Sequence, residues 1–382
     1  MLPNHVSYYA INRATCVTIL ELVPQIVLIA PTAFKGTFRP REVAEALASG
    51  VRRALPEAVL LNCPIADGGD GLLDAILPPG ALRERVRVTG PLGAAVEAGL
   101  GWIDPQTAIF ESASACGLAL LKPAERDPLR ATSRGVGELM FEAVDRGAQT
   151  VIVGLGGTAT VDGGTGAARG LGWTFADAGG RPLPEGGGAL PMLATMGGGW
   201  GLAARVIALS DVATPLVGPE GAAQVFAPQK GATPAHVTHL AAGLERLAQM
   251  FTRSGRPELS SLPGGGAAGG LGAGLVYFAK ADLARGAEWV FERVGFDAAL
   301  AKADLVLTGE GMFDRTSLVG KATGEAMRRA QAARKKVVVV AARAEPFAGL
   351  HIVSGEGQTL DAHAIAALGE RAAREAFGLP AA

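Results

Sequence analysis

The sequence predicts an α/β protein, and three features carry that prediction. The first is a repeated unit in which a short apolar or β-branched run enters a glycine-rich loop and an Ala-rich helical pattern leaves it. That is the strand, loop and helix order of a parallel sheet with crossover helices. The second is the 54 glycines, which show no collagen-like period and so imply many tight loops between short elements. The third is size, because 382 residues exceed one ordinary core and two domains are expected. With 49% hydrophobic and 19% charged residues, and a mean hydropathy of +0.28, the chain can bury a large core.

Taken in order, residues 1–25 are expected to form an extension outside the fold. Between Arg13 and Lys35 the sole charge is Glu21, nearly the span of a membrane helix. Pro24 and Pro31 interrupt that run, so no anchor is expected, and the absence of an Ala-x-Ala-like site after a basic start argues against a secretory signal. Ile26–Ala30 reads as a buried first strand and is followed by PTAFKG, whose Lys35 lies where open α/β sheets present ligand-binding groups. A solvated lysine is the plainer alternative. Val43, Leu47, Val51 and Leu55 then form the apolar stripe of a helix from about Pro40 to Leu55. Val59–Pro64 reads as a strand running into ADGGDG, where Asp67 and Asp70 on a glycine backbone suit magnesium, a hydroxyl proton or a simple turn.

From about Arg85 to Gly101 shorter alternating runs with TGPLG as a turn mark a boundary. Ala108–Glu111 reads as a strand. Thr132, Ser133 and Arg134 precede a helix to about Arg146, where an arginine can clamp a carboxylate or phosphate bidentately.

The densest loop follows. Val151–Val153 leads into GLGGTATVDGGTGA, with glycines at 154, 156, 157, 163, 164 and 166, hydroxyls at Thr158, Thr160 and Thr165, and one charge at Asp162. Inward-turned amides ahead of a helix N-terminus make a phosphate cradle. A carboxylate among them implies a magnesium-side or substrate-hydroxyl residue or one that only caps the helix, and the glycines equally allow tight turns and close packing without ligand.

Gly179–Gly201, rich in glycine and proline, reads as a long surface excursion. Arg205–Leu209 is a strand ending in Ser210 and Asp211, and an acid at a strand's carboxyl end is well placed for chemistry. FAPQKGA supplies Gln229 and Lys230, and Pro263–Gly274, with Gly266, is a second glycine cradle. Ala303–Leu307 is a strand ending in TGEGMFDRTSLVGK, where Glu310, Asp314, Ser317 and Lys321 crowd one loop. A helix, a strand at Val337–Ala341 and a last helix from about Leu360 to Phe377 complete the chain.

Other chemistry is less well supported. A net charge of −1 favours neither nucleic acid nor an anionic membrane surface. Cys16, Cys63 and Cys116 are scattered and odd in number, which fits a reducing cytoplasm. His236 and His239 read as a solvated helix face. GLGGTA mimics a dinucleotide signature with Asp177 near the distance for a ribose acid, but the pattern alone is weak. A P-loop is absent, because Ala322 and Arg315 stand where the hydroxyl residue and the leading glycine belong. Amides and lysines for phosphate oxygens, acids for magnesium and one acid for a hydroxyl proton are the needs of phosphoryl transfer. Composition and spacing lead as far as an ATP-using or phosphate-handling enzyme.

IAPTAFKG, PREVAEALASG, ADGGDG, TGPLG, TSRGVGEL, GLGGTATVDGGTGA, SDVATPLVG, FAPQKGA, PGGGAAGGLG and TGEGMFDRTSLVGK together resemble the ordered blocks of the type 1 bacterial glycerate kinases. The resemblance implies transfer of the γ-phosphate of ATP to D-glycerate with Mg2+, with 2-phosphoglycerate the more expected product than 3-phosphoglycerate. It implies a Rossmann-like domain built from both chain ends, 26–85 plus 290–382, an inserted α/β domain over 86–289, and the site in the cleft between them. Thr32-Ala33 replace the Asp-Ser usual before Phe-Lys, Asp70 a Glu, Met312 an Arg, and Ala342-Arg343 a Gly-Ser.

By matching blocks, Asp211, Lys35 and Arg134 are the catalytic candidates, Asp211 as general base. Gly156, Gly157, Thr158, Asp162, Gly163, Gly164, Lys230 and Gly266 are assigned to ATP, Asp67, Ser133 and Arg134 to glycerate, and Asp314 and Glu310 to Mg2+. Asp211, Asp314 and Lys230 are then expected to share one cavity. A cytoplasmic enzyme without nucleic-acid or membrane partners is implied, and a homodimer is admitted. A nicotinamide-dependent hydroxy-acid oxidoreductase and a catalytically silent ligand-binding relative stay open.

Overall fold

The computed structural model describes residues 24–34, 36–318, 320–356 and 360–381. The expectations for residues 1–23 and for Lys35 fall outside them. The strands in chain order are β1 (Ile26–Pro31), β2 (Val59–Asn62), β3 (Arg83–Thr89), β4 (Ala95–Asp104), β5 (Thr107–Glu111), β6 (Thr150–Gly154), β7 (Thr174–Ala176), β8 (Thr195–Gly197), β9 (Arg205–Leu209), β10 (Asp282–Ala284), β11 (Leu305–Phe313), β12 (Lys336–Ala344) and β13 (Ile352–Ser354). Among the described residues no helix is long and apolar enough to cross a membrane.

Five strands from both chain ends form one parallel sheet in the order β13-β12-β11-β1-β2. Counted within that sheet the order is 2-1-3-4-5, the flavodoxin-like doubly wound arrangement, whose direction reverses between β1 and β11. Both faces are covered, which explains why β1 is a continuous apolar run and not an alternating one. Val27 and Ile29 pack against Val43, Leu47 and Val51 of helix Pro40–Ala54 and Ile365 and Leu368 of helix Ala362–Phe377. Leu28 and Ala30 face Phe291, Phe296, Ala322 and Ala326 on the other side.

The second sheet runs β10-β9-β6-β5-β4-β3, parallel from β10 to β5 and antiparallel beyond. The TGPLG turn closes the β3–β4 hairpin, pairing Thr89 with Ala95. One face packs on Val136, Leu139 and Met140 of helix Arg134–Asp145. The other packs on Leu72, Ala75, Leu77 and Val290. Helix Gly286–Arg293 therefore serves both sheets, Ala287 and Phe291 toward the first and Val290 toward the second.

Two elements differ from the sequence reading. Gly179–Gly201 is not simply a surface excursion: Gly187, Ala189, Leu190 and Leu193 are buried with Leu240 and Leu244 of helix Pro234–Arg253, and β8 pairs with β7. Glycine there permits close contact, since a Cβ on Gly187 would stand 2.2 Å from the Val161 carbonyl. Strand β11 continues to Phe313, so Glu310 is a strand residue and not a loop residue.

Helices Pro40–Ala54 and Ala362–Phe377 cross with backbones nearly touching. A Cβ on Gly50 would lie 1.8 Å from the Ala366 carbonyl oxygen. Alanine normally favours a helix over glycine by about 1 kcal/mol, but overpacking costs about 1–3 kcal/mol and outweighs it. Gly50→Ala is expected to lower the free energy of unfolding in urea, whereas a gain in stability would contradict this crossing.

Candidate active site

The crevice of a doubly wound sheet opens where strand order reverses, at the carboxyl ends. Here that point lies between β1 and β11, and a cavity of about 490 Å3 occupies it. Thr32, Ala33 and Phe34 follow β1 on one wall, and Glu310, Gly311, Met312 and Asp314 end β11 on another. Lys321, Ala322, Thr323, Ala342 and Arg343 line it further, and Asp67 enters from the loop after β2.

Three charged groups in it form a chain. Lys321 Nζ donates to Glu310 Oε2 at 3.3 Å and stands 4.0 Å from Asp314 Oδ1. Asp314 Oδ1 accepts from the Thr316 amide at 2.8 Å and the Thr316 hydroxyl at 2.6 Å, and these bonds hold its carboxyl below the usual range. The other Glu310 oxygen, Oε1, is buried without a partner. Lys321 immediately precedes helix Ala322–Ala332, so an ammonium group and a helix N-terminus face the same space. That is a favourable setting for anionic oxygens.

Asp211 adjoins this cavity from the second sheet, just beyond β9. Its Oδ2 accepts from the Ala287 amide at 2.8 Å, at the start of helix Gly286–Arg293, while Oδ1 is buried and unpartnered. Burial first, then the Asp67 charge, push its carboxyl up to about 7 against the pull of the Ala287 amide. A Cβ on Gly320 would lie 3.0 Å from the Asp211 carbonyl, so the turn before Lys321 reaches Asp211. A carboxyl with one free oxygen and a pKa near neutrality is suited to take a hydroxyl proton.

A profile of the glycerate kinase family matches residues 27–359. The chain belongs to the glycerate kinase family. The glycerate 2-kinase of Escherichia coli K12 is 40% identical over 302 residues, 77% of this chain and 79% of that protein. The glycerate kinase of Bacillus subtilis 168 is 41% identical with the same coverage. A crystal structure described as glycerate kinase 2 from Salmonella typhimurium LT2 superposes with TM-score 0.79 at 38% identity, covering 93% of this chain and 98% of that one.

The chain is thus a kinase, and its cavity unites Asp67, Glu310 and Asp314, with Asp211 adjoining. Lys230, expected beside them, is not there. It is buried against the loop that follows β6, where Nζ donates to the Thr160 carbonyl at 2.6 Å and to Thr158 Oγ1 at 3.2 Å. Burial lowers its ammonium to about 8, opposed by the charges of Cys116 and Asp162. Asp162 is fully buried and accepts from the Ser133 amide and hydroxyl and from the amides of Gly164 and Gly166. Burial raises its carboxyl despite these bonds. Asp162 with Ser133, and Lys230 with Thr158, are thus engaged by the chain itself around one loop.

The cradle amides are likewise engaged. Gly163 donates to the Gly269 carbonyl at 3.1 Å, and Gly266 to that of Thr214 at 2.9 Å. A Cβ on Gly164 would meet Gly274 Cα at 3.0 Å. These glycines serve close backbone packing. Gly157 is exposed and Gly156 half-buried against Gly69, so only this pair of the ATP-assigned residues reaches the surface. Arg134 is paired with Glu185 at 2.7 Å and does not line the cavity. The nicotinamide reading also fails on geometry, since no helix begins until Thr165 and Asp177 is tied into an exposed turn with Arg181.

Lys321 has no role legible in the sequence, because it sits in an incomplete P-loop pattern. Among the described residues no three His, Cys, Asp or Glu side chains are grouped to hold a metal. Mg2+ commonly uses one or two carboxylates with water and phosphate, and the unpartnered Glu310 oxygen beside Asp314 fits that need.

Asp162→Ala strands four donors, the Ser133 amide and hydroxyl and the Gly164 and Gly166 amides. It is expected to lower stability by about 3 kcal/mol in denaturant unfolding. A variant of wild-type stability that had lost only ATP affinity would restore the phosphate role.

Proposed function

We propose that this kinase phosphorylates D-glycerate with ATP and Mg2+, giving 2-phosphoglycerate. One observation carries the reading: acids, a lysine at a helix N-terminus and an unpartnered, near-neutral carboxyl converge at the crevice of the doubly wound sheet. The E. coli relative, named glycerate 2-kinase, supports the choice of product. As a further proposal, the chain divides into 26–85 with 290–382 against 86–289. The sheets, drawn from 26–62 with 305–354 and from 83–284, support it.

In this reading Asp211 accepts the proton of the glycerate hydroxyl at its free Oδ1, and the neighbouring Asp67 raises its basicity. Lys321 and the amides opening helix Ala322–Ala332 hold phosphate oxygens. Glu310 and Asp314 would hold Mg2+, which supplies neutralisation of phosphate charge when bound. Phe34, Phe38 and Leu360 offer the apolar part of the cavity to the nucleoside, and Arg343, with Lys35 by sequence, offers cationic charge to the glycerate carboxylate. In this reading Asp211 and Lys35 act at the site, while Arg134, paired with Glu185, and Lys230, bonded to Thr158 and Thr160, are given no part in it.

Release of ADP with D-glycerate, ATP and Mg2+ is the direct test, and coupling to enolase, which uses only the 2-isomer, identifies the product. No ADP release would refute the reading. Asp211→Asn is expected to reduce kcat by about 100-fold or more. Because the base must be ionised, kcat/KM should rise with pH up to about 7 and level off above it. The same raised pKa favours the folded state at low pH, so stability should fall as pH rises from the ordinary carboxylate range through about 7. Asp211→Asn should flatten both curves.

Lys321→Ala is expected to raise the KM for ATP by about tenfold or more, the loss of one charge-assisted contact. An unchanged KM would remove Lys321 from the phosphate site.

A further inference from the structure

Glu111 ends β5 on the second sheet and does not line the cavity. Its Oε1 accepts from the Leu73 amide at 3.1 Å. Leu73 lies in the helix that follows the Asp67–Gly71 loop, so a side chain from one sheet grips a segment that left the other. The amides of Gly71 and Leu72 also point toward this carboxylate and stabilise its charged form. Backbone packing against Gly154, Gly156 and Gly286 fixes where this loop lies, and the Glu111 bond adds a side-chain hold at its downstream end. Gly68 and Gly71 both have left-handed backbone, at φ of +81° and +87°, and Asp67 Oδ1 accepts a local 3.2 Å bond from Gly69.

We propose that Glu111 is a positioning residue for phosphoryl transfer, holding the Asp67–Gly71 loop so that Asp67 faces both the cavity and Asp211. The proposal rests on the reading that Asp67 serves the reaction. Glu111 itself touches no reacting group. Shielding from water, and secondarily the Asp70 carboxylate, raise its carboxyl to about 7 while the Leu73, Gly71 and Leu72 amides oppose that shift. The hydrogen bond from Leu73, not the charge, is what the loop requires, since a neutral acceptor of the same shape would serve it.

The test compares Glu111→Ala, Glu111→Gln, Asp67→Asn and the Glu111→Ala/Asp67→Asn pair by kcat, KM and thermal melting. Glu111→Ala should lower kcat by about tenfold or more, the scale of a displaced catalytic group, with the KM for ATP within about twofold. Glu111→Gln, whose side-chain carbonyl can still accept from Leu73, should recover at least about half of wild-type kcat, and in the Asp67→Asn background Glu111→Ala should cost less than about twofold more. The acid limb of kcat/KM should also move down in Glu111→Ala, because Asp211 is partly released from the Asp67 charge while Arg285 and Glu288 still face it. Wild-type kcat in Glu111→Ala, or equal losses in both backgrounds, overturns the proposal and leaves Asp67 its role. Wild-type activity in Asp67→Asn overturns both. If Glu111→Ala does not fold, Glu111→Asp, which keeps the charge and withdraws it by one methylene, enters the same comparison with the same criteria.

Discussion

The site depends on a contact between backbones. The loop Asp67–Gly71 leaves the first sheet and lies across the carboxyl ends of the second, closer than side chains would permit. A Cβ on Gly154 would stand 2.3 Å from the Gly68 carbonyl, and one on Gly286 2.4 Å from that of Asp67. A Cβ on Gly156 would be 3.1 Å from Gly69 Cα. Glycine at these positions lets β6, the start of helix Gly286–Arg293 and the loop meet at van der Waals distance. The crevice of one sheet thereby receives Asp211 from the other. Without that approach the two sheets would each keep a separate set of acids.

The same feature explains what could be read from sequence and what could not. Buried strands such as β1 and β9 are legible because a parallel sheet covered on both faces requires short continuous apolar runs. Asp211 was legible because it ends one of them. Glycine is ambiguous by nature: one that admits a phosphate and one that admits another backbone differ in nothing local. The 154–166 loop has the composition of a cradle, yet the amides of Gly164 and Gly166 are engaged by Asp162 and that of Gly163 by Gly269, more than a hundred residues downstream. Lys230 in FAPQKGA looks like a solvated loop cation until Thr158 and Thr160 close around it. Lys321 lies in a P-loop pattern that lacks both its leading glycine and its hydroxyl residue, although a strand, a turn and a helix N-terminus supply the electrostatics without the full pattern.

The acids of this chain divide by how their oxygens are satisfied. Asp162 is fully buried, and both oxygens accept bonds from the chain itself. Its removal uncovers those donors. Asp211 Oδ1 and Glu310 Oε1 are also buried but accept nothing. An unsatisfied buried polar atom costs about 1–3 kcal/mol, and a fold that carries two of them at one crevice gives up stability it could have kept. Such groups persist where a proton, a cation or a substrate hydroxyl completes them, and that same shortage keeps the Asp211 carboxyl near neutrality. Each of these two oxygens lacks a bond that a proton, a cation or a substrate hydroxyl can complete, so partner count, which burial alone does not reveal, sets Asp211 and Glu310 apart from Asp162.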